Sequence, residues 1–211
     1  MSKQAGWIQT GTVGAIAALL RLPNLGQPHA VVFDETYYVK DAWSLWQSGY
    51  ERQAIDKANE LMLQGQSNIL KPDASYVVHP PFGKWVIGIG EHFFGLNPFG
   101  WRIMVALLGV FAVMLLHRVA RRLFGNELVA FLAAMFMAID GVAIVLSRTA
   151  LLDQVLMVMC LIGFAAIVAD RDRTKRRLAA GNKIGFRWHL IVASIDLALG
   201  LGTKWLSLIH I

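Results

Sequence analysis

Two adjacent carboxylates, Asp34 and Glu35, are the residues of this chain best suited by type and position to do chemistry. They follow shortly after an apolar segment that ends near Leu22. A hydroxyl nucleophile needs a base within hydrogen-bond reach, and a carboxylate near a membrane interface can have the raised pKa that suits such a base. The alternative is an acidic cap on a helix that begins near Thr36, because Asp is common at helix starts. The spacing alone leaves both interpretations open.

A second candidate segment, residues 79–84, contains His79, two consecutive prolines, Phe82, Gly83 and Lys84. The prolines favour an extended approach to a helix, and a lysine at a membrane interface can bind phosphate as a point charge. The alternative is a rigid junction between loop and helix, with a lysine whose ammonium reaches out to the lipid headgroups.

Charged residues close to apolar segments form a third group of candidates. Arginine beside hydrocarbon is costly, so Arg21 and Arg102 predict either a lipid phosphate as partner or side chains that extend to the headgroups. Arg148 and Asp153 flank a short link between two apolar segments, and a mutual ion pair is the alternative to a function for them. The sequence offers no partner for two acidic residues within apolar runs, Asp140 and Asp196.

The composition indicates a membrane protein. Of the 211 residues, 56% are hydrophobic and 16% are charged, and the mean hydropathy is +0.50. Soluble domains are closer to about 45–50% apolar and about 25% charged. The net charge of +6 comes from Lys and Arg that cluster between apolar runs, which indicates membrane topology rather than binding to nucleic acid.

Several kinds of site are excluded by the residues present. The chain has one cysteine, Cys160, so it has neither an intrachain disulfide nor a cysteine-based metal site. No His, Cys, Asp and Glu spacing predicts a metal centre, and no glycine-rich phosphate loop predicts a soluble nucleotide.

Five apolar segments are predicted to span the membrane, and the expected fold class is an all-α polytopic membrane protein. The predicted spans are residues 7–22, 99–116, 128–146, 151–169 and 188–205, with residues 23–98 as a long external loop. The first segment lacks a clear cleavage signal and is expected to be retained as a span. Within the loop, we expect a short helix in residues 47–75 and an interfacial amphipathic helix over residues 85–94.

The basic residues predict the orientation. They cluster between spans two and three and between spans four and five, which places both links in the cytoplasm. The N-terminus is then cytoplasmic and the 23–98 loop extracytoplasmic. An alternative for the basic residues is that they form a clamp for lipid phosphate on the cytoplasmic side. The basic residues are Arg118, Arg121, Arg122, Arg171, Arg173, Lys175, Arg176, Arg177, Lys183 and Arg187.

The order and spacing of five motifs resemble the protein O-mannosyltransferase family, and its bacterial members in particular. These are GT-C membrane glycosyltransferases of glycosyltransferase family 39, which supports a GT-C-type helical bundle. The resemblance covers nearly the whole chain. The motifs are residues 33–35, 79–84, 97–102, 148–153 and 202–205.

The resemblance implies a reaction in which mannose passes from a polyprenyl phosphate to a Ser or Thr hydroxyl of an exported protein, with inversion. Asp34 would be the general base and Glu35 would support or position the acceptor peptide. The leaving phosphate needs charge stabilisation, which Arg102 would supply with Lys84, Arg21 and His79. Support for the site is expected from Arg148, Asp153 and Lys204.

The same resemblance implies no cofactor and no metal beyond the lipid-linked sugar donor. The expected partners are the polyprenyl-phosphate-mannose lipid and translocating acceptor proteins, together with the Sec translocon. The expected location is the plasma (inner) membrane, with the active site on its extracytoplasmic face.

Family members have more spans than this chain, and residues 206–211 do not continue the family pattern, so an N-terminal fragment of a longer protein is expected. One alternative function is the transfer of another sugar, such as aminoarabinose or arabinose, to lipid or polysaccharide; residues 79–84 favour the protein-directed branch. A non-enzymatic transporter is the other alternative, and the sequence shows none of the repeat symmetry typical of one.

Overall fold

The computed structural model describes residues 3–205, which are mainly helical and confirm the predicted all-α membrane class. A small two-stranded antiparallel sheet lies within the predicted external loop. The elements in chain order are α1 (Lys3–Arg21), α2 (Glu35–Ser48), β1 (Arg52–Ala54), α3 (Ala58–Leu63), β2 (Leu70–Ala74), α4 (Phe82–Phe94), α5 (Pro98–Phe124), α6 (Glu127–Ile139), α7 (Gly141–Arg148), α8 (Leu152–Ala179) and α9 (Trp188–Leu201).

Two helices are long and apolar enough to cross a membrane by themselves. They are α5, with 27 residues, and α8, with 28 residues. Helix α5 contains the predicted span 99–116, and α8 covers all but the first residue of the predicted span 151–169. The start of α5 is encoded locally: Pro98 occupies the first turn and the Asn97 side chain accepts a hydrogen bond from the Gly100 amide at 3.0 Å. Gly125 ends the helix in the left-handed conformation.

The third predicted span, residues 128–146, is not one straight helix. It is broken at Asp140 into α6 and α7, which are bent by 59° relative to each other. Asp140 has an extended backbone, and its carboxylate accepts a hydrogen bond from the Ala143 amide at 2.6 Å, as an N-terminal cap does. This cap accounts for Asp140, for which the sequence offered no partner.

Arg21 satisfies the backbone that this break exposes. Its guanidinium is buried and donates to the carbonyl oxygens of Ala138 at 2.8 Å and Met137 at 3.0 Å, at the end of α6. Unsatisfied carbonyls at membrane depth cost several kcal/mol each, so a partner for a broken helix is needed there. For Arg21 the sequence left open a lipid phosphate or the headgroups as partner; in the structure its terminal nitrogens bond to this end of α6, and phosphate binding stays a prediction.

Arg148 bonds to backbone carbonyls at the end of α1, the helix that carries Arg21. From the end of α7 it donates to carbonyl oxygens just past α1, those of Arg21 at 2.7 Å, Pro23 at 2.9 Å and Asn24 at 3.2 Å. A cation at a helix C-terminus interacts favourably with the helix dipole. The expected alternative for Arg148, an ion pair with Asp153, does not form.

The first and last predicted spans stay predictions. Helix α1 has 19 residues, which is long enough to cross, but it is not apolar enough to qualify as a span. Helix α9 is apolar but has only 14 residues, and part of the predicted span 188–205 lies beyond its end.

The predicted amphipathic helix is present as α4, and it packs between α2 and α5. Its buried side carries small and charged residues, among them Gly83, Lys84, Gly88 and Glu91, whereas Phe93 of the predicted apolar face is exposed. This packing is close, since a Cβ atom on Gly90 would lie 2.3 Å from the Gly100 carbonyl oxygen. The short helix predicted within residues 47–75 is α3, and the two strands beside it were not predicted.

We expect Arg21→Gln to lower the stability of the protein by about 2–4 kcal/mol, because two buried carbonyls at the break lose charged donors. Thermal unfolding in detergent would show this as a lower melting temperature. Arg171→Gln, at an exposed arginine that pairs only with the adjacent Asp172, is the matched control and should leave the melting temperature unchanged. Equal melting temperatures for the two variants would contradict this role of Arg21.

Candidate active site

A buried ion pair between Glu35 and Arg102 connects α2 with α5. Arg102 Nε lies 2.8 Å from Glu35 Oε1 and Arg102 Nη2 lies 2.8 Å from Oε2, so the contact is bidentate. The relative exposures of Glu35 and Arg102 are 0% and 1%. A buried pair of this kind is tolerated only when its geometry is good and further hydrogen bonds satisfy the remaining donors and acceptors.

Backbone groups supply those further bonds. Glu35 also accepts from the amides of Ala150 and Val32, each at 2.9 Å. Arg102 also donates to carbonyl oxygens of the segment between α1 and α2, those of Leu25 at 3.3 Å, Pro28 at 3.0 Å and Ala30 at 2.8 Å. The pair therefore joins α2, α5, the link before α8 and the segment after α1.

Glu35 was expected to support or position the acceptor peptide and Arg102 to stabilise the leaving phosphate, and both roles stay predictions. The structure places both side chains inside the protein, with their charged atoms bonded to protein partners. In this arrangement the pair holds the segment that carries Asp34.

Asp34 remains partly exposed beside this pair. The preceding residue, Phe33, has a φ of 51°, in the left-handed region that is uncommon for a bulky residue. Asp34 stands at the N-cap position of α2, but its side chain caps no amide. Its Oδ2 instead accepts a hydrogen bond from the Tyr38 hydroxyl at 3.2 Å. The expectation of a capping carboxylate is thus wrong for the side chain, although the helix does begin where predicted.

The Asp34 carboxylate faces a cleft of about 420 Å³, lined by Asp34, Tyr37, Tyr38, Val78 and His79. Burial, reinforced by the charge of Asp34, raises the pKa of Tyr38, so its hydroxyl remains a donor at neutral pH. Burial, reinforced by Lys204 and Lys84, lowers the pKa of His79, which is therefore neutral at pH 7. His79 Nδ1 is buried and has no hydrogen-bond partner among residues 3–205.

Lys84 is enclosed within the protein. Its side chain has 0% exposure and its Nζ contacts Glu51 Oε1 at 2.8 Å and Asp41 Oδ2 at 3.0 Å. Burial raises the pKa of Glu51, although its bond to Lys84 acts in the opposite direction. Phosphate binding by Lys84 stays a prediction; in the structure its ammonium does not extend to headgroups but pairs with two carboxylates within the protein.

Lys204 and Asp153 form a second, more open ion pair. Lys204 Nζ lies 2.8 Å from Asp153 Oδ1 and 2.9 Å from Oδ2, with side-chain exposures of 14% and 45%. The pair lies beside the cleft, because Lys204 precedes Trp205, whose indole contacts the cleft wall. Trp205 Nε1 donates to the carbonyl oxygen of Val78, in the cleft wall, at 3.1 Å.

The five motifs that are separated in the sequence meet at this place. The Phe82 amide donates to the Gly202 carbonyl at 3.0 Å, and a Cβ atom on Gly83 would lie 2.6 Å from Thr203 and 2.8 Å from Leu152. With the Glu35–Arg102 and Lys204–Asp153 pairs and the hydrogen bond from the Ala150 amide to Glu35, these contacts connect all five motifs.

Sequence reasoning missed two features of the site. Tyr38 follows Asp34 by one helical turn, a spacing that puts both side chains on one helix face and could have suggested the pair. Lys84 pairs with Asp41 and Glu51. No sequence spacing could have suggested these two partners, since they come from separate parts of the loop. Among the described residues, no group of three or more His, Cys, Asp or Glu side chains could hold a metal ion.

These features define a helical membrane protein with a polar cleft in which the Asp34 carboxylate is partly exposed. A family sequence model described as dolichyl-phosphate-mannose-protein mannosyltransferase matches residues 11–211. The chain belongs to this family, as the motifs predicted.

Curated relatives agree with this assignment. Proteins named polyprenol-phosphate-mannose–protein mannosyltransferase are 36% identical in Mycolicibacterium smegmatis over 99% of this chain, and 36% identical in Mycobacterium tuberculosis over 97%. The Corynebacterium glutamicum protein of the same name is 34% identical over 85% of this chain. This chain spans 40%, 39% and 35% of the lengths of these three relatives. No solved structure matches the chain.

We expect Glu35→Gln to destabilise the protein by about 3–5 kcal/mol, because it leaves the Arg102 charge buried without its anion. Arg102→Met should have a cost of similar size, and the double variant should cost much less than the sum of the two. Unfolding in detergent of the unmodified protein, the two single variants and the double variant gives a double-mutant cycle. Additive effects of the two changes would contradict the pairing.

Proposed function

We propose that this chain supplies the general base and the donor-phosphate contact of an enzyme that transfers mannose from a polyprenyl phosphate to Ser or Thr hydroxyls of exported proteins. The observation that carries the proposal is the open Asp34 carboxylate, with one oxygen bonded to Tyr38 and the adjacent Glu35 enclosed. Family membership supports the reaction class, and the names of the relatives support both donor and acceptor.

The proposed reaction is one displacement with inversion. The acceptor hydroxyl oxygen attacks the anomeric carbon of mannose, and its proton passes to Asp34. The bond between the anomeric carbon and the phosphate oxygen breaks, and the polyprenyl phosphate leaves with the electron pair. Tyr38 holds Oδ2 of Asp34, which leaves Oδ1 available to receive the proton.

The proposed cation for the leaving phosphate is Lys204. Arg102 and Lys84 are enclosed and paired with carboxylates, and Arg21 is bonded to carbonyls at the break between α6 and α7. Lys204 is partly exposed and lies near His79 in the cleft wall. A phosphate beside the Lys204–Asp153 pair would gain a charge-assisted contact as negative charge develops on it.

The proposed orientation puts the cleft on the extracytoplasmic side of the inner membrane, with the N-terminus in the cytoplasm. The Asp34 cleft lies at the first turns of α5, and Arg118, Arg121 and Arg122 lie at its far end. This arrangement agrees with the excess of basic residues in cytoplasmic links. The acceptors would be translocating proteins, delivered by the Sec translocon.

We expect Asp34→Asn to lower mannosyl transfer by about 10²–10⁴-fold, the usual contribution of a general base. The assay follows labelled mannose from polyprenyl phosphate to a Ser/Thr-rich peptide. It uses a chimera in which this chain replaces the matching part of the M. smegmatis relative. Asp73→Asn, at an exposed carboxylate of the same loop, is the matched control.

Transfer that survives Asp34→Asn would contradict the proposed base. A chimera that accepts a pentose donor but not mannose would favour the alternative of another sugar. Transfer of mannose to a lipid or polysaccharide acceptor but not to the peptide would contradict the proposed acceptor class.

We expect Lys204→Met to raise the KM for the lipid donor about tenfold or more in the same chimera, because the phosphate loses a cation. Lys204→Arg should retain most of the affinity. Lys57→Met, at an exposed lysine of the 23–98 loop, is the control. If Lys204→Met leaves the donor KM unchanged, another group binds the phosphate.

A further inference from the structure

Two cavities meet at the end of α5 that lies away from the Asp34 cleft. One, of about 760 Å³, lies at the turn between α5 and α6; the other, of about 360 Å³, runs between α1, α5, α8 and α9. Arg118 and Arg122 line both of them. At 1.5 Å per helical residue, Arg118 lies about 24 Å along α5 from Arg102.

The first cavity carries positive charge that the protein does not neutralise. Arg121 forms an ion pair with Glu127 at 2.6 Å. Within residues 3–205, no carboxylate forms an ion pair with Arg118 or Arg122, and Arg118 Nη1 is buried without a hydrogen-bond partner. The Arg118 guanidinium is fixed in place 4.0 Å above the ring of Trp7. Arg118 and Arg122 thus line both cavities without a carboxylate partner among these residues, and an anionic group fits beside them.

The second cavity is an apolar groove that begins at the same arginines. Its walls include Leu115, Ile162, Ala165 and Val192, and two tryptophans lie at its polar end. Tryptophans are enriched where a membrane protein crosses from hydrocarbon to headgroups. A phosphate held at the arginines would therefore have a hydrocarbon-lined path directly beside it.

We propose that these two cavities form a binding site for an anionic phospholipid, on the side of the membrane opposite to the Asp34 cleft. The phosphate contacts Arg118 and Arg122, and one acyl chain follows the groove toward Ile162 and Val192. Basic pockets between transmembrane helices bind anionic headgroups in this manner. The site is independent of the proposed transfer reaction, since it shares no residue with the cleft.

A topology signal requires only the number of charges, whereas a site requires their position, and this difference provides the test. The 211-residue chain is purified in detergent and mixed with equal amounts of phosphatidylglycerol and phosphatidylcholine, and native mass spectrometry measures the retained lipid. We expect the Arg118→Gln, Arg122→Gln double variant to retain phosphatidylglycerol at least fivefold less than the unmodified chain. The control variant, Lys175→Gln with Arg176→Gln, removes the same amount of charge from two exposed positions of α8. It should retain as much phosphatidylglycerol as the unmodified chain.

A second variant, Ala165→Phe, keeps every charge and obstructs the groove, and it should also reduce retention. Inorganic phosphate at the same concentration as the lipid should displace little of it, because free phosphate gains no contact with the groove. Circular dichroism and elution volume verify that each variant is folded. Equal loss in both double variants, no preference for phosphatidylglycerol, or full competition by phosphate would overturn the proposal.

Discussion

The bidentate contact between Glu35 and Arg102 is the interaction on which the rest of the site depends. Enclosing two charges costs several kcal/mol per ion, so the pair persists only because each remaining donor and acceptor has a backbone partner. Those partners belong to the segment after α1, the turn before α2 and the link before α8. One ion pair thereby fixes segments that are far apart in the chain, and it orients Asp34 from the adjacent position.

The other charged residues near the membrane follow a consistent pattern. Arg21 and Arg148 bond to carbonyls at the ends of α6 and α1, and Lys84 bonds to two carboxylates of the loop. All of these cations stabilise the fold. The polar groups at the cleft are fewer: Asp34, Tyr37, Tyr38 and His79, with the Lys204–Asp153 pair beside them. This separation leaves a small number of partly exposed groups available for the proposed chemistry.

The sequence predicted well what depends on local pattern. Apolar length identified α5 and α8, and periodicity identified α4. Motif order identified the family, and the motifs do meet. The sequence could not reveal which charged groups would be enclosed, because that depends on partners distant in the chain, such as Ala150 for Glu35 and Glu51 for Lys84. Similarly, hydropathy alone gave no sign that Asp140 would break α6 from α7, since a break needs a partner such as Arg21.

The central claim is that Glu35 is enclosed by its ion pair while the adjacent Asp34 is open. Labelling of carboxylates with a water-soluble carbodiimide and an amine, located by fragment mass spectrometry, tests it most directly. The folded protein should acquire the label at Asp34 and not at Glu35, and both residues should react after denaturation. Labelling of Glu35 as fast as Asp34 in the folded protein would contradict the account.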